Sequence, residues 1–195
     1  MEILYSDQNI VVCNKPIGLD SEKQVPNHLI EQLGGEIYTL HRLDLNVGGV
    51  MVYARNRHTA ALLSRCIQEG SMVKEYVAKV HGIVQEQDIL EDFLFKDSRK
   101  NKVFVVKRER KGVKKAKLEY KRIKVIDNYS LVHIKLYTGR SHQIRVQFSS
   151  RGFPLVGDHK YGSKDEKTSP MLFSHRITFP YKGKIVSFEK NPEWI

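Results

Sequence analysis

Apolar positions along this chain recur at every second residue more often than at helical spacing, and the breaks between them are short. Ile3-Leu4-Tyr5 and Ile10-Val11-Val12-Cys13, split by the polar turn Ser6-Asp7-Gln8-Asn9, predict a hairpin or two short strands. Asn14-Lys15-Pro16-Ile17-Gly18 ends the second of them, because Pro16 removes a backbone donor and Gly18 permits a turn. Pro26-Asn27 opens a short helix with Leu29, Ile30 and Leu33 apolar and a Gly34-Gly35 stop. Residues 38–43 and 49–54 are strand candidates. Asn56 is a good N-cap for a helix over 57–69, with Ala60, Leu63, Cys66 and Ile67 on one side and Gly70 past its end.

Residues 73–80 are strongly strand-like, and a period of two puts Tyr76, Ala78 and Val80 on one face. Residues 103–106 and 118–125 predict a hairpin whose exposed tip is the charged turn around Gly112, since so dense a charge block cannot be buried. Another strand is predicted over 131–137. Thr138-Gly139-Arg140-Ser141 then leads into a helix over 142–150, with Ile144 and Phe148 on its buried face, Arg145 near the rim and Gly152 as the stop. Residues 171–174 and 185–188 read as late strands, with Pro180 and Gly183 marking the turn between them. Strands outnumber helices and no repeat or low-complexity linker divides the chain. The expected fold is α+β, a mixed and mostly antiparallel central sheet flanked by helices, in one domain over 1–195.

The 195 residues are enough to bury a substantial core, and the apolar fraction of 41% is ordinary for a soluble protein. No apolar run approaches the roughly 18 to 20 residues that span a bilayer, so no membrane partner is expected. The start, Met1-Glu2-Ile3-Leu4-Tyr5, lacks the segments of a secretory signal. Cys13 and Cys66 have no second ligand-type neighbour at metal spacing, which suits reduced thiols in a cytoplasmic protein.

Charge changes the picture most when it is located. Residues 96–124 hold 14 Lys or Arg against three acids, a net +11 that equals the formal charge of the whole chain, and the remainder balances at 19 against 19. Concentrating the entire excess in one segment creates a directed field that attracts a polyanion, and nucleic acid is the expected partner.

The stretch best suited to chemistry is His41-Arg42-Leu43-Asp44, followed by Leu45-Asn46-Val47-Gly48-Gly49 and an apolar run. An acid there stands at the entry to a strand, where a scaffold holds a side chain rigidly and glycines let the loop approach a ligand. Alone, an aspartate before a glycine pair is ordinary turn chemistry.

Taken together, Lys15-Pro16-Ile17-Gly18, His41-Arg42-Leu43-Asp44, Lys74-x-Tyr76-x-Ala78-x-Val80-x-Gly82, Gly139-Arg140-Ser141-His142-Gln143-Ile144-Arg145 and the stretch 152–162 resemble the RluA-type pseudouridine synthases. The resemblance implies an isomerase that converts uridine in tRNA or rRNA to pseudouridine without a cofactor, as a monomer, by flipping the base out of its stack. The family's aspartate falls on Asp44, with its role as sugar nucleophile, base nucleophile or proton acceptor left open. Arg145 takes the place of the fixed cation that keeps a dry carboxylate charged, where a planar guanidinium fork does what lysine cannot. Tyr76 takes the place of the aromatic that stacks on the target base, Ile144 that of its apolar neighbour, and Arg42 that of a residue which fills the space the base vacates.

A cofactor-free aspartate mechanism needs neither metal nor imidazole, so His41, His142 and His159 are expected to be structural. The chain departs from the family pattern at Val47-Gly48, where Thr and Ser are usual; Val47 offers no hydroxyl, so its loop is either looser or tied by backbone groups. Because the first strand begins at once, a stand-alone catalytic domain is expected, without the S4-like RNA-binding domain of many relatives. The competing reading is a catalytically silent RNA-binding protein of the same fold. A metal-dependent nuclease would need clustered carboxylates, and Asp44 has no acidic neighbour in sequence.

Overall fold

The computed structural model describes residues 1–167 and 169–195. In chain order its elements are β1 (Glu2–Ser6), β2 (Ile10–Lys15), α1 (Gln24–Leu33), β3 (Tyr38–Thr39), β4 (Gly48–Ala54) and α2 (Arg57–Gln68). There follow β5 (Val73–His81), β6 (Gln87–Asp97), β7 (Lys102–Val106), β8 (Val113–Ile126), β9 (Tyr129–Leu136), α3 (Gln143–Ser149), a 3-10 turn at His159–Tyr161, β10 (Leu172–Tyr181) and β11 (Lys184–Glu189). They fall into two compact units, Met1–Glu75 with Phe173–Ile195, and Tyr76–Leu172. The class is α+β, as the sequence predicts.

In the first unit, β4 is buried along its whole length, which its unbroken run Val50-Met51-Val52-Tyr53-Ala54 requires. It pairs antiparallel with β2 from Ile10↔Ala54 to Lys15↔Gly49, and β2 pairs with β1 in turn. On its other edge a short parallel pairing joins Gly48 and Gly49 to Phe173 and Ser174 of β10, which makes the sheet mixed. Gly49 has φ +125, and a Cβ there would lie 2.3 Å from the Ser174 carbonyl oxygen, so only glycine permits this junction. Ile10, Val12, Val50, Val52, Leu63, Met72, Ile177 and Phe179 form one buried cluster, against which Cys66 and Ile67 of α2 pack. The predicted cap of α2 is present, with the Asn56 side chain accepting from the Thr59 N–H at 2.9 Å.

Three boundaries in this unit differ from expectation. The helix α1 starts two residues before Pro26, because the Asp20 carboxylate accepts from the N–H groups of Glu22 and Lys23 and turns the chain early. Pro26 then lies in the first turn, where a missing N–H costs little. Next, β3 stops at Thr39 rather than reaching 43: Leu40 drops onto the buried cluster, and the His41 ring replaces the strand as partner of β4, Nε2 accepting from the Val52 N–H at 3.4 Å. Finally, β10 runs through Pro180, which pairs with Ile185 one rung before the Lys182-Gly183 turn of the β10–β11 hairpin.

In the second unit the strand order is β5-β9-β8-β6-β7. The basic segment is therefore not a simple hairpin. Strand β6, for which no element is predicted, lies between β7 and β8 and pairs antiparallel with both, from Phe93↔Val106 to Asp97↔Lys102 on one side and from Gln87↔Lys121 to Phe95↔Val113 on the other. Only the exposed charged link from Lys107 to Gly112 matches the expected tip. Leu94, Val103 and Ala116 point to one face of this sheet and pack with Val146 of α3 and with Tyr161. Phe148, also from α3, is fully buried and sits 5.1 Å from the Tyr120 ring; truncating such a residue costs about 3–5 kcal/mol.

Candidate active site

Asp44 lies in the loop that leaves β3 and enters β4, and this loop is tied down from several directions. Lys15, the last residue of β2, is completely buried, and its Nζ donates to the carbonyls of Pro16 and Leu19 at 2.9 Å each and of Leu45 at 3.3 Å. The Gly18 N–H donates to the same Leu45 carbonyl at 2.9 Å. On the other side of Asp44, the buried Ser21 hydroxyl donates to the Leu43 carbonyl at 3.1 Å and accepts from the Leu43 N–H at 3.3 Å. Tyr53 of β4 in turn donates to the Ser21 carbonyl at 2.8 Å. The residues flanking the carboxylate are thus held by buried groups of β2, β4 and the 16–21 turn.

The Val47-Gly48 departure is explained by the same arrangement. Val47 is 2% exposed, its N–H donating to the Asp44 carbonyl at 3.0 Å, so backbone and burial hold the loop without a hydroxyl. At Gly48 a Cβ would approach the Lys15 carbonyl oxygen to 3.1 Å, which leaves little room for a side chain.

Burial pushes the Lys15 ammonium down to about 8, opposed by the negative charges of Asp20 and Asp44. The Pro-Gly turn after β2 therefore does more than end a strand: it folds its carbonyls over a buried cation under the Asp44 loop. Sequence reasoning took the Lys15 stretch as a strand end and a family signature and missed this role. The available signal was a lysine closing an apolar strand, where a polar residue is hard to accommodate without partners.

Arg42 is exposed and pairs with Glu22, Nη1 to Oε2 at 3.0 Å. A pair this open contributes little, about 0–1 kcal/mol, and yields readily to another anion. His41 is held neutral, burial pushing its imidazole down to about 3 with Lys74 acting in the same direction. Its Nε2 accepts from the Val52 N–H and so ties the loop to β4.

In the second unit, α3 carries Ile144 and Arg145, and both are buried, at 4% and 7% exposure. The rim position expected for Arg145 is thus corrected. Its guanidinium forms a planar fork with Asp158, Nε to Oδ2 at 2.7 Å and Nη2 to Oδ1 at 2.8 Å, and its Cζ lies 5.1 Å from the Tyr161 ring centre. A buried arginine needs such a partner, and Asp158, itself 1% exposed, supplies it. Sequence reasoning missed Asp158 as well, although it stands inside the glycine-punctuated 152–162 stretch.

The entrance to α3 is organised by the buried Gln143, whose Oε1 accepts from the Thr138 hydroxyl at 2.8 Å and the Arg140 N–H at 3.0 Å, while its Nε2 donates to the Lys117 carbonyl at 3.1 Å. His142, at φ +50, places Nδ1 2.8 Å from the Tyr161 hydroxyl. His159 Nε2 is 2.8 Å from the Asp165 carbonyl oxygen. Tyr76, on β5, is 5% exposed. Among the described residues, no three His, Cys, Asp or Glu converge as metal ligands, and both cysteines are free thiols.

The family described as RNA pseudouridylate synthase matches residues 9–150, a range that holds the Asp44 loop, Tyr76, Ile144 and Arg145. Ribosomal large subunit pseudouridine synthase D of Borreliella burgdorferi is 32% identical over 90% of this chain, which spans 60% of that protein. The dual-specificity RNA pseudouridine synthase RluA of Escherichia coli K12 is 33% identical, with 96% of this chain and 91% of that protein covered. Among solved structures, human RNA Pseudouridylate Synthase Domain Containing 1 has the same fold, with a TM-score of 0.86 at 23% identity over 100% of this chain and 84% of that one. Human RNA Pseudouridylate Synthase Domain Containing 4 follows at a TM-score of 0.82 and 23% identity, covering 99% and 89%. The chain therefore belongs to the RNA pseudouridylate synthase family, in its RluA-type branch, whose members isomerise uridine to pseudouridine in RNA.

Proposed function

We propose that this protein isomerises uridine to pseudouridine in tRNA or rRNA, with Asp44 as the catalytic carboxylate. The reaction breaks the bond from uracil N1 to the sugar carbon, turns the freed base, and joins C5 to the same carbon. The proton displaced from C5 is lost while N1 gains one, so nothing is added to the RNA and no cofactor is called for. Tyr76 stacks on the extracted base, Ile144 lies against its apolar edge, and Arg145 supplies fixed positive charge. Arg42 exchanges Glu22 for the space the base leaves in its stack, a step its weak exposed pair permits.

The observation that carries this reading is the anchoring of the Asp44 loop. Lys15, Ser21 and Val47 fix the backbone on both sides of the carboxylate, as a group that must meet a reacting atom in one geometry requires. The excess of positive charge in residues 96–124 suits an RNA substrate. Two free thiols fit action in a reducing compartment such as the cytoplasm. Among the described residues, no helix is long and apolar enough to cross a membrane. The protein acts as a monomer in this reading. The test is to incubate it with uridine-containing tRNA and rRNA fragments and quantify pseudouridine; a folded protein that binds these RNAs and leaves every uridine unchanged would overturn the proposal.

A further inference from the structure

The sheet of the second unit has two unlike faces. Leu90, Leu94, Val103, Ala116 and Leu118 are buried on the side that α3 covers. Alternation sends the intervening residues to the opposite side, and an ordinary solvated face would carry polar residues there. Instead it carries aromatics. Phe95 of β6 stands directly across from Phe104 of β7, and Phe93, two residues along β6, stands across from Lys115 of β8. Tyr137, just past the end of β9, stands beside Lys117 of β8, its N–H donating to the Lys117 carbonyl at 3.1 Å. Phe104 and Tyr137 are 37% and 48% exposed.

Cations are interleaved with these rings. Lys115 Nζ lies 5.8 Å from the Phe93 ring centre and Arg110 Cζ 5.2 Å from that of Phe95, while Lys117 and Lys135 flank the Tyr137 ring at 5.6 and 5.3 Å. The acids on this face are engaged: Glu91 accepts from Lys117 Nζ at 2.6 Å and Glu119 from the Tyr137 hydroxyl at 2.6 Å. Three of these cations, Arg110, Lys115 and Lys117, belong to the segment that holds the net charge of the chain.

The geometry points to this face as a stacking platform for a single-stranded stretch of RNA outside the target uridine. The exposed Phe104 ring beside the half-buried Phe95 ring, at the strand spacing of about 4.8 Å, and the exposed Tyr137 ring offer π faces to unpaired bases. The cations between them meet the phosphates. A duplex hides its base faces and cannot use the rings, so the surface selects unpaired segments such as loops. The proposal rests on the reading of the protein as an RNA-modifying enzyme, and it extends that reading from the reacting uridine to the flanking strand.

The experiment measures fluorescence anisotropy of the full chain with labelled oligoadenylate, which offers no uridine to the active site, and with an RNA duplex. Phe93→Leu, Phe95→Leu and Phe104→Leu each keep apolar bulk but remove the π face; each should weaken oligoadenylate binding about fivefold or more, leaving duplex affinity and the salt slope unchanged. Phe104→Trp should restore or tighten binding. Phe104 is exposed, so the Phe104 pair of variants decides the matter even if the half-buried Phe93 and Phe95 variants melt early. Wild-type affinity in folded Leu variants, or equal losses on single strand and duplex, would overturn the platform. Because oligoadenylate binding is read without turnover, the two proposals fail separately: pseudouridine formed with unaltered ring-variant binding removes the platform alone, and the expected ring losses in a protein that forms no pseudouridine remove the enzyme alone.

Discussion

Arg145 and Asp158 form a closed two-pronged pair, Nε to Oδ2 at 2.7 Å and Nη2 to Oδ1 at 2.8 Å, in which neither side chain is more than 9% exposed. Replacing Asp158 with a neutral residue removes the negative charge that both prongs of the buried guanidinium engage. Asp158→Asn is therefore expected to destabilise the protein by about 3–5 kcal/mol, read as a lower denaturation midpoint at constant slope. Arg145→Lys keeps the charge but loses the fork, so turnover should fall severely. Near-normal stability of the first variant together with near-normal turnover of the second would show that the pair positions nothing.

The contrast between what was legible and what was not follows from where each signal lies. Asn56 capping α2 and the apolar run of β4 are local, and both are found where the sequence puts them. Strand β6 hides behind its acids, which resemble a loop until their distant partners are seen. Glu91 faces Lys117, and Asp92 accepts from Gln147 Nε2 at 2.7 Å and Arg151 Nη1 at 2.8 Å. In the same way, helical spacing next to Ile144 suggests a rim position for Arg145, and its burial is supported by Asp158, 13 residues on, which no local signal connects to it. Asp44 stands out as a candidate for chemistry from its motif, but the support beneath its loop comes from Lys15, whose role depends on three carbonyls that no spacing rule brings together.

Lys15 gives a pH signature. Its native value of about 8 lies below the ordinary lysine value, so between about pH 8 and 10.4 the unfolded chain binds more protons than the native one, and stability gains a contribution as pH rises through that window. Below pH 8 the cost of burying the charge is fully present. Lys15→Met should lack this contribution while loosening the Leu45 carbonyl and lowering turnover. Denaturant unfolding of both proteins from pH 7 to 10.5 checks it; the difference between the two curves isolates Lys15 from the tyrosines, and a flat difference would count against the assigned role.

The charged link between β7 and β8 and the start of β8 should carry much of the RNA affinity. Replacing Lys107, Arg108, Lys111, Lys114 and Lys115 with Gln is expected to weaken RNA binding and flatten its salt dependence, by up to about 0.7 log units per log salt for each phosphate no longer neutralised. These residues are exposed, so the fold should tolerate the change. An unaltered salt slope would reassign the segment to a solvated face.

Tyr76 should act through its ring rather than its hydroxyl. Stacking on one base is worth roughly 1–3 kcal/mol, so Tyr76→Phe should bind substrate RNA nearly normally while Tyr76→Ala loses affinity and turnover together. Because the residue is 5% exposed, melting curves must accompany the Ala variant. Equal RNA binding by two folded variants would argue against stacking.

Asp44→Asn separates an enzyme from a silent binder. The substitution keeps nearly the same shape, and the backbone ties at Leu43, Leu45 and Val47 do not involve the side chain, so the loop should stay in place. What changes is charge. Asp44 is one of the two carboxylates that favour the charged form of Lys15, so the buried ammonium loses support and a modest drop in melting temperature is expected. RNA binding should persist, since removing a negative charge favours a polyanion. Turnover should stop whether the carboxylate attacks the sugar, attacks the base or removes a proton, because each role needs the ionised oxygen that Asn lacks. The measurement is pseudouridine formed in tRNA and rRNA fragments by equal amounts of folded wild type and variant. A variant that still forms pseudouridine at the wild-type rate would remove Asp44 from the chemistry, and the catalytic role would then fall to another carboxylate.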